Sequence, residues 1–99
     1  MTKGKYVPKV EIYTKSTCGF CRRAMMLLDM KKVPYEQYGV DFGGALKKEM
    51  VERAGGRTTV PQIFIGGRHI GGCDDLMSLE QAGKLDALLA APRPGSGQA

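Results

Sequence analysis

Between Val10 and Thr14 apolar and polar positions alternate, Val10 and Ile12 against Glu11 and Tyr13, which is the period of a short half-buried strand entered after Pro8. From Phe20 to Lys31 the period changes: Phe20, Ala24, Leu27 and Leu28 fall at helical spacing, and Pro34 closes the pattern. Met25, Met26 and Met30 beside them read as core filling, and Lys31-Lys32 as a solvated pair. Tyr35 to Val40 is a second strand that offers Tyr35, Tyr38 and Val40 to a core and is interrupted by Gly39. Gly43 to Ala54 is a second helix with Leu46, Met50 and Ala54 on one face, stopped by Gly55-Gly56. Gln62–Ile65 and Arg68–Gly71 are strands joined by Gly66-Gly67, a connection that demands a tight antiparallel hairpin. Asp74-Asp75 then suits the start of a third helix holding Leu76 and Leu79, and Gly83 divides it from a last helical segment with Leu85, Leu88 and Leu89.

The resulting order is β-α-β-α-β-β-α. A right-handed crossover makes the first two strands parallel and the hairpin adds two more, so the class is α/β: a four-stranded mixed sheet flanked by helices. Residues 1–90 form one domain, and residues 91–99, rich in Pro, Gly and Ser, lack the apolar content to pack and read as a disordered tail.

The 99-residue length leaves room for a single core. The longest apolar stretch, Ala24 to Leu28, is far short of a membrane span, and nothing after Met1 resembles the apolar segment of a signal peptide; the expectation is a cytoplasmic chain with no membrane partner. The net charge of +5 is uneven, with eight Lys/Arg against two acids up to Pro34 and seven against eight beyond it. The basic residues are not interleaved with aromatics and carry no nucleic-acid motif, so they read as a solvated face that attracts small anions rather than nucleic acid.

Three cysteines are too few, and too odd in number, for a disulfide framework, and they point to chemistry. Cys18-Gly19-Phe20-Cys21 falls in the turn between the first strand and first helix, where free N–H groups and the helix dipole favour a thiolate and Lys15 adds a nearby cation. Cys18 is therefore the exposed nucleophile. Cys21, one turn further in, is more shielded and close enough to resolve a mixed disulfide. A rival is a binding module with structural zinc on Cys18, Cys21, His69 and Cys73, whose types and spacings zinc accepts. The plainer reading of His69 is an outward-facing strand residue, and of Cys73 a small half-buried one.

Three separated stretches, Tyr13-Thr-Lys-Ser-Thr-Cys-Gly-Phe-Cys21, Gly56-Arg-Thr-Thr-Val-Pro-Gln-Ile-Phe-Ile65 and Ile70-Gly-Gly-Cys-Asp-Asp-Leu76, resemble the glutaredoxins, most closely the small bacterial dithiol members, from about Val10 to Leu89. The resemblance implies a thioredoxin-like fold and a glutathione-dependent oxidoreductase that reduces protein–glutathione mixed disulfides and protein disulfides. It makes Val60-Pro61 a cis-proline turn beside the nucleophile, and Thr59 and Val60 the backbone that glutathione pairs with. Lys15 and Arg57 match positions that hold glutathione's glycine carboxylate; Gly72, Cys73 and Asp74 match those receiving its γ-glutamyl end, and Phe20 joins this glutathione-binding set. Glutathione carries carboxylates at both ends and one ammonium, to which these groups are complementary.

Cys-Gly-Phe-Cys departs from the Cys-Pro-Tyr-Cys of usual dithiol members. Its Gly-Phe centre resembles the monothiol, iron–sulfur-carrying type with Cys-Gly-Phe-Ser, while Cys21 keeps the second thiol. The resemblance thus implies an alternative: a [2Fe–2S] cluster shared by two chains through Cys18 and two glutathiones, the chain being a monomer unless loaded.

Overall fold

A computed structural model describes residues 8–90. Strand β1 (Val10–Thr14) leads into helix α1 (Gly19–Met30), strand β2 (Glu36–Gly39), helix α2 (Gly44–Arg53), the hairpin β3 (Gln62–Ile65) and β4 (Arg68–Gly71), and helices α3 (Cys73–Gln81) and α4 (Leu85–Leu89). Three strands begin and end where the alternation places them. The second strand is shorter than Tyr35–Val40, and the last helical segment, divided from α3 at Gly83 as the pattern has it, counts as a helix of its own and adds an element to the order β-α-β-α-β-β-α. The expected tail, residues 91–99, lies outside the described residues.

The sheet order is β2-β1-β3-β4, with β1 parallel to β2 and antiparallel to β3, and β3 antiparallel to β4. Gly66 and Gly67, at φ of 61° and 83°, make the two-residue turn that only glycine-like residues enter without strain. This is the thioredoxin-like arrangement. One face of the central strands, Val10, Ile12, Ile63 and Ile65, packs under Ala24, Leu27 and Leu28 of α1, Leu76 of α3 and Leu85 and Leu89 of α4. The other, Tyr13 and Phe64, packs with Val40, Met50 and Ala54. Each fully buried Leu, Ile or Phe contributes on the order of 2 kcal/mol through lost apolar contact with water.

Covering both faces overturns the simple alternation of β1: all five of its residues are buried, including Glu11 and Tyr13, which the pattern turned outward. Glu11 is tolerated because Arg53 at the end of α2 grips it with two hydrogen bonds, of 2.9 and 3.3 Å, and Tyr38 donates a third at 3.0 Å. That Arg53 bond, against the cost of burial, holds the Glu11 carboxyl below the usual carboxylate range. Three further expectations fail. Met26 and Met30 are exposed, not core filling, because they lie on the outer face of α1. Phe20 and Leu46, assigned to apolar helical faces, are also exposed. Lys31 is not merely solvated: its Nζ lies 2.7 Å from Glu80 and 2.9 Å from Asp86, tying the end of α1 to α3 and α4.

Candidate active site

The β1–α1 turn makes Cys18 the cap of α1. Its N–H donates to the Lys15 carbonyl at 3.1 Å, its backbone is extended, and its Sγ accepts the Cys21 N–H at 3.1 Å. A sulfur thus fills the role that a serine or aspartate oxygen plays at other helix starts, and negative charge on it faces an N–H group and the positive helix end. The same Sγ lies 3.8 Å from the Val60 carbonyl. Cys18 remains partly exposed while Cys21 is buried. Burial, and then the hydrogen bond with Cys18, push the Cys21 thiol up to about 12. Two chemically identical groups three residues apart are thereby divided into an accessible sulfur and a shielded, protonated one. Cys73 is buried as well, which raises its thiol in turn.

Beside Cys18 a cleft of about 320 Å³ opens. Its walls are Phe20 from α1, the segment Arg57, Thr59, Val60 and Pro61 ahead of β3, and Gly72 to Asp75 at the start of α3. The Val60–Pro61 bond is cis. Arg57 supplies a cation on one side. Close to it, the N-terminus of α3 supplies backbone N–H groups, with the exposed Asp74 carboxylate beside them. The fold therefore gathers Phe20, Arg57, Thr59, Val60, Pro61, Gly72, Cys73 and Asp74 in one place. Lys15 is not among the lining residues; it enters the site through its carbonyl, which anchors the Cys18 turn.

The zinc alternative does not assemble. His69 is not an outward strand residue; it is half-buried, its ring 5.0 Å from that of Phe64, and its Nε2 lies 2.7 Å from Gln62 Oε1. Among the described residues no three His, Cys, Asp or Glu side chains converge to hold a metal ion.

The glutaredoxin family model matches residues 10–70, which span β1 to β4 and contain both motif cysteines and the proline turn. The chain belongs to the glutaredoxin family. It is 55% identical over 80 residues to glutaredoxin 3 of Escherichia coli, covering 81% of this chain and 95% of that protein. The solution structure of a glutaredoxin from Brucella melitensis matches with a TM-score of 0.76 at 46% identity, covering 89% of this chain and 94% of that one. A buckwheat glutaredoxin–glutathione complex matches with a TM-score of 0.74 at 34% identity, covering 83% and 76%. Thiol–disulfide oxidoreduction is the chemistry of the family.

This glutaredoxin also uses residues that sequence reasoning did not assign to the site. Asp75, read there only as a helix-start acid, accepts the Gly72 N–H at 2.9 Å and approaches Arg57 at 3.4 Å, so it caps α3 and faces the cleft's cation at once. Gly71 makes this possible: its φ is 121°, and a Cβ there would meet the Asp75 carboxylate at 2.2 Å. The signal available was the Gly72-to-Asp75 spacing of a capping box. Among the described residues no helix is long and apolar enough to cross a membrane.

Proposed function

We propose that this chain is a glutathione-dependent thiol–disulfide oxidoreductase acting on protein–glutathione mixed disulfides and on protein disulfides. The observation that carries the reading is the division between Cys18, partly exposed at a helix cap beside the cleft, and Cys21, buried and held as the thiol. The cleft supplies what a peptide with carboxylates at both ends requires: Arg57 for one and the α3 N–H groups for the other, with Asp74 for the ammonium and the Thr59–Val60 backbone for its amides. Glutathione bound to the buckwheat relative supports the same assignment.

The Cys18 thiolate attacks the glutathione sulfur of a mixed disulfide, forming a Cys18–glutathione disulfide and releasing the client as its thiolate. A second glutathione thiolate attacks the glutathione sulfur of that adduct, which leaves as glutathione disulfide and restores the Cys18 thiolate. With a protein disulfide the Cys18 thiolate forms a mixed disulfide and frees one client sulfur. Cys21 then loses its proton and attacks the Cys18 sulfur, freeing the second and leaving a Cys18–Cys21 bridge that two glutathiones reduce. The cytoplasm, where glutathione keeps thiols reduced, is the compartment this chemistry needs. In the Cys21→Ser protein, exposure to glutathione disulfide is expected to leave one glutathione on Cys18, read by peptide mass spectrometry; an adduct on Cys73 instead, or none, would overturn the assignment.

One observation favours a second activity. Cys18 alone of the three cysteines escapes burial, and the Cβ position of Gly19 beside it has no neighbouring atom within 4 Å, so a second chain can approach the motif. These residues fit a [2Fe–2S] cluster held by Cys18 of two chains and two glutathiones, a thiolate set that would give this chain a cluster-carrying role. Anaerobic reconstitution with iron, sulfide and glutathione is expected to give a coloured dimer from a monomeric chain. A colourless monomer with glutathione exchange intact contradicts it.

A further inference from the structure

Gln62, wholly buried, follows directly on the Val60–Pro61 bond, whose two residues stand in the wall of the cleft. Its Nε2 donates back to the Thr59 carbonyl at 3.0 Å and lies 3.3 Å from Thr59 Oγ1. Because the Thr59 carbonyl only accepts, the amide orientation is fixed: nitrogen toward Thr59, oxygen toward His69. His69 Nε2 sits 2.7 Å from that oxygen, and two acceptors cannot share a hydrogen bond, so Nε2 carries a proton. Burial, and then the charge of Arg57, depress the His69 pKa, which keeps the ring neutral with Nδ1 bare. The ring is held against Phe64, whose own ring lies 4.0 Å from the Arg53 guanidinium. A half-buried donor on β4 is thus connected by two hydrogen bonds to the exposed loop that walls the cleft, and no step of the thiol chemistry uses it.

We infer that His69 is a positioning residue that, through Gln62, sets the place of the Thr59 carbonyl and with it the Thr59–Val60 edge on which glutathione lies. The inference rests on the glutathione reading above. Without the His69 donor the Gln62 oxygen is left buried and unsatisfied, and the amide can recover a partner only by turning away from Thr59.

The test combines ring nitrogen-15 spectra of the wild-type protein with two variants. The spectra are expected to show Nε2–H and bare Nδ1; the opposite tautomer overturns the inference, whatever the substrate. His69→Phe keeps the stacking on Phe64 and removes the donor, so the KM for a glutathionylated peptide is expected to rise about three- to tenfold, the worth of one hydrogen bond, with kcat within about twofold. His69→Gln, whose amide nitrogen can reach the same place, is expected to restore the KM; a Gln variant no better than Phe overturns the donor role. Should His69→Phe not fold, the tautomer and the Gln variant decide. If the wild-type protein does not turn over the peptide, the glutathione reading falls by itself. The amide resonances of Thr59 and Val60 then judge the inference: displaced in His69→Phe they uphold it, unmoved they overturn it.

Discussion

Arg53 and Arg57 stand one helical turn apart in sequence, each opposite a carboxylate, and the fold uses them in contrary ways. Arg53 lies over Phe64 and donates to the buried Glu11 at 2.9 and 3.3 Å and to the Tyr13 hydroxyl at 2.8 Å, so its guanidinium is committed to holding α2 on the sheet. Arg57 sits past the end of α2 with its side chain half-exposed and only a loose 3.4 Å approach to Asp75. A charge buried with its partner is costly to orphan, whereas one left near water with a weak partner can exchange it for a ligand. Charge inside the fold makes structure; charge on the cleft's edge is available for recognition.

The sharpest way to break that contrast is Arg53→Ala, which leaves the buried Glu11 without its hydrogen-bonded cation and with only the Lys9 cation at 3.9 Å. Stability in urea is expected to fall by about 3 kcal/mol, with glutathione exchange per folded molecule retained. The pH dependence follows in sign. Because the folded-state pKa of Glu11 is depressed, its contribution is present above the unfolded value of 4.5 and is lost as pH falls below it. That acid-side loss should be smaller in Arg53→Ala, where the principal partner is already gone; an unchanged slope would mean that the pair is not its source. Arg57→Ala should do the converse, raising the KM for a glutathionylated peptide about tenfold through the loss of a charge-assisted contact. Its stability in urea should stay within about 0.5 kcal/mol of wild type, as for other exposed ion pairs. A variant that loses stability but not affinity would reverse the roles of the two arginines. The smallest effect belongs to Asp75→Asn, whose amide oxygen still accepts the Gly72 N–H. Freed from a competing charge, Arg57 should bind the peptide no more weakly than in wild type, with KM unchanged or lowered about twofold; a large rise in KM would show that Asp75 orients Arg57.

Where one residue's pattern determines its surroundings, the sequence was legible. The Gly66-Gly67 turn specified the β3–β4 hairpin, Pro34 and Gly83 marked element ends, and the Cys-x-x-Cys at a strand-to-helix turn located the partly exposed cysteine at the cap of α1. What was hidden depends on partners distant in the chain. Glu11 read as solvent-facing because Arg53, 42 residues on, brings α2 over the second face of the sheet. Phe20 carried the spacing of a core residue, and only the resemblance placed it in the glutathione site; it is exposed and stands in the cleft wall. His69 read as outward because its acceptor belongs to the neighbouring strand, across the hairpin. Lys15 and Arg57 were paired as two cations of one site by resemblance, whereas only Arg57 lines it.

The central claim is that Cys18 does the exchange and Cys21 only resolves. Steady-state reduction of a glutathionylated peptide by Cys18→Ser and Cys21→Ser, each checked for folding, tests it most directly. The account predicts that Cys18→Ser loses activity by at least about a thousandfold, as when a nucleophile is removed. Cys21→Ser should keep it within a few-fold while losing reduction of protein disulfides. Comparable peptide reduction by the Cys18→Ser protein would contradict the account.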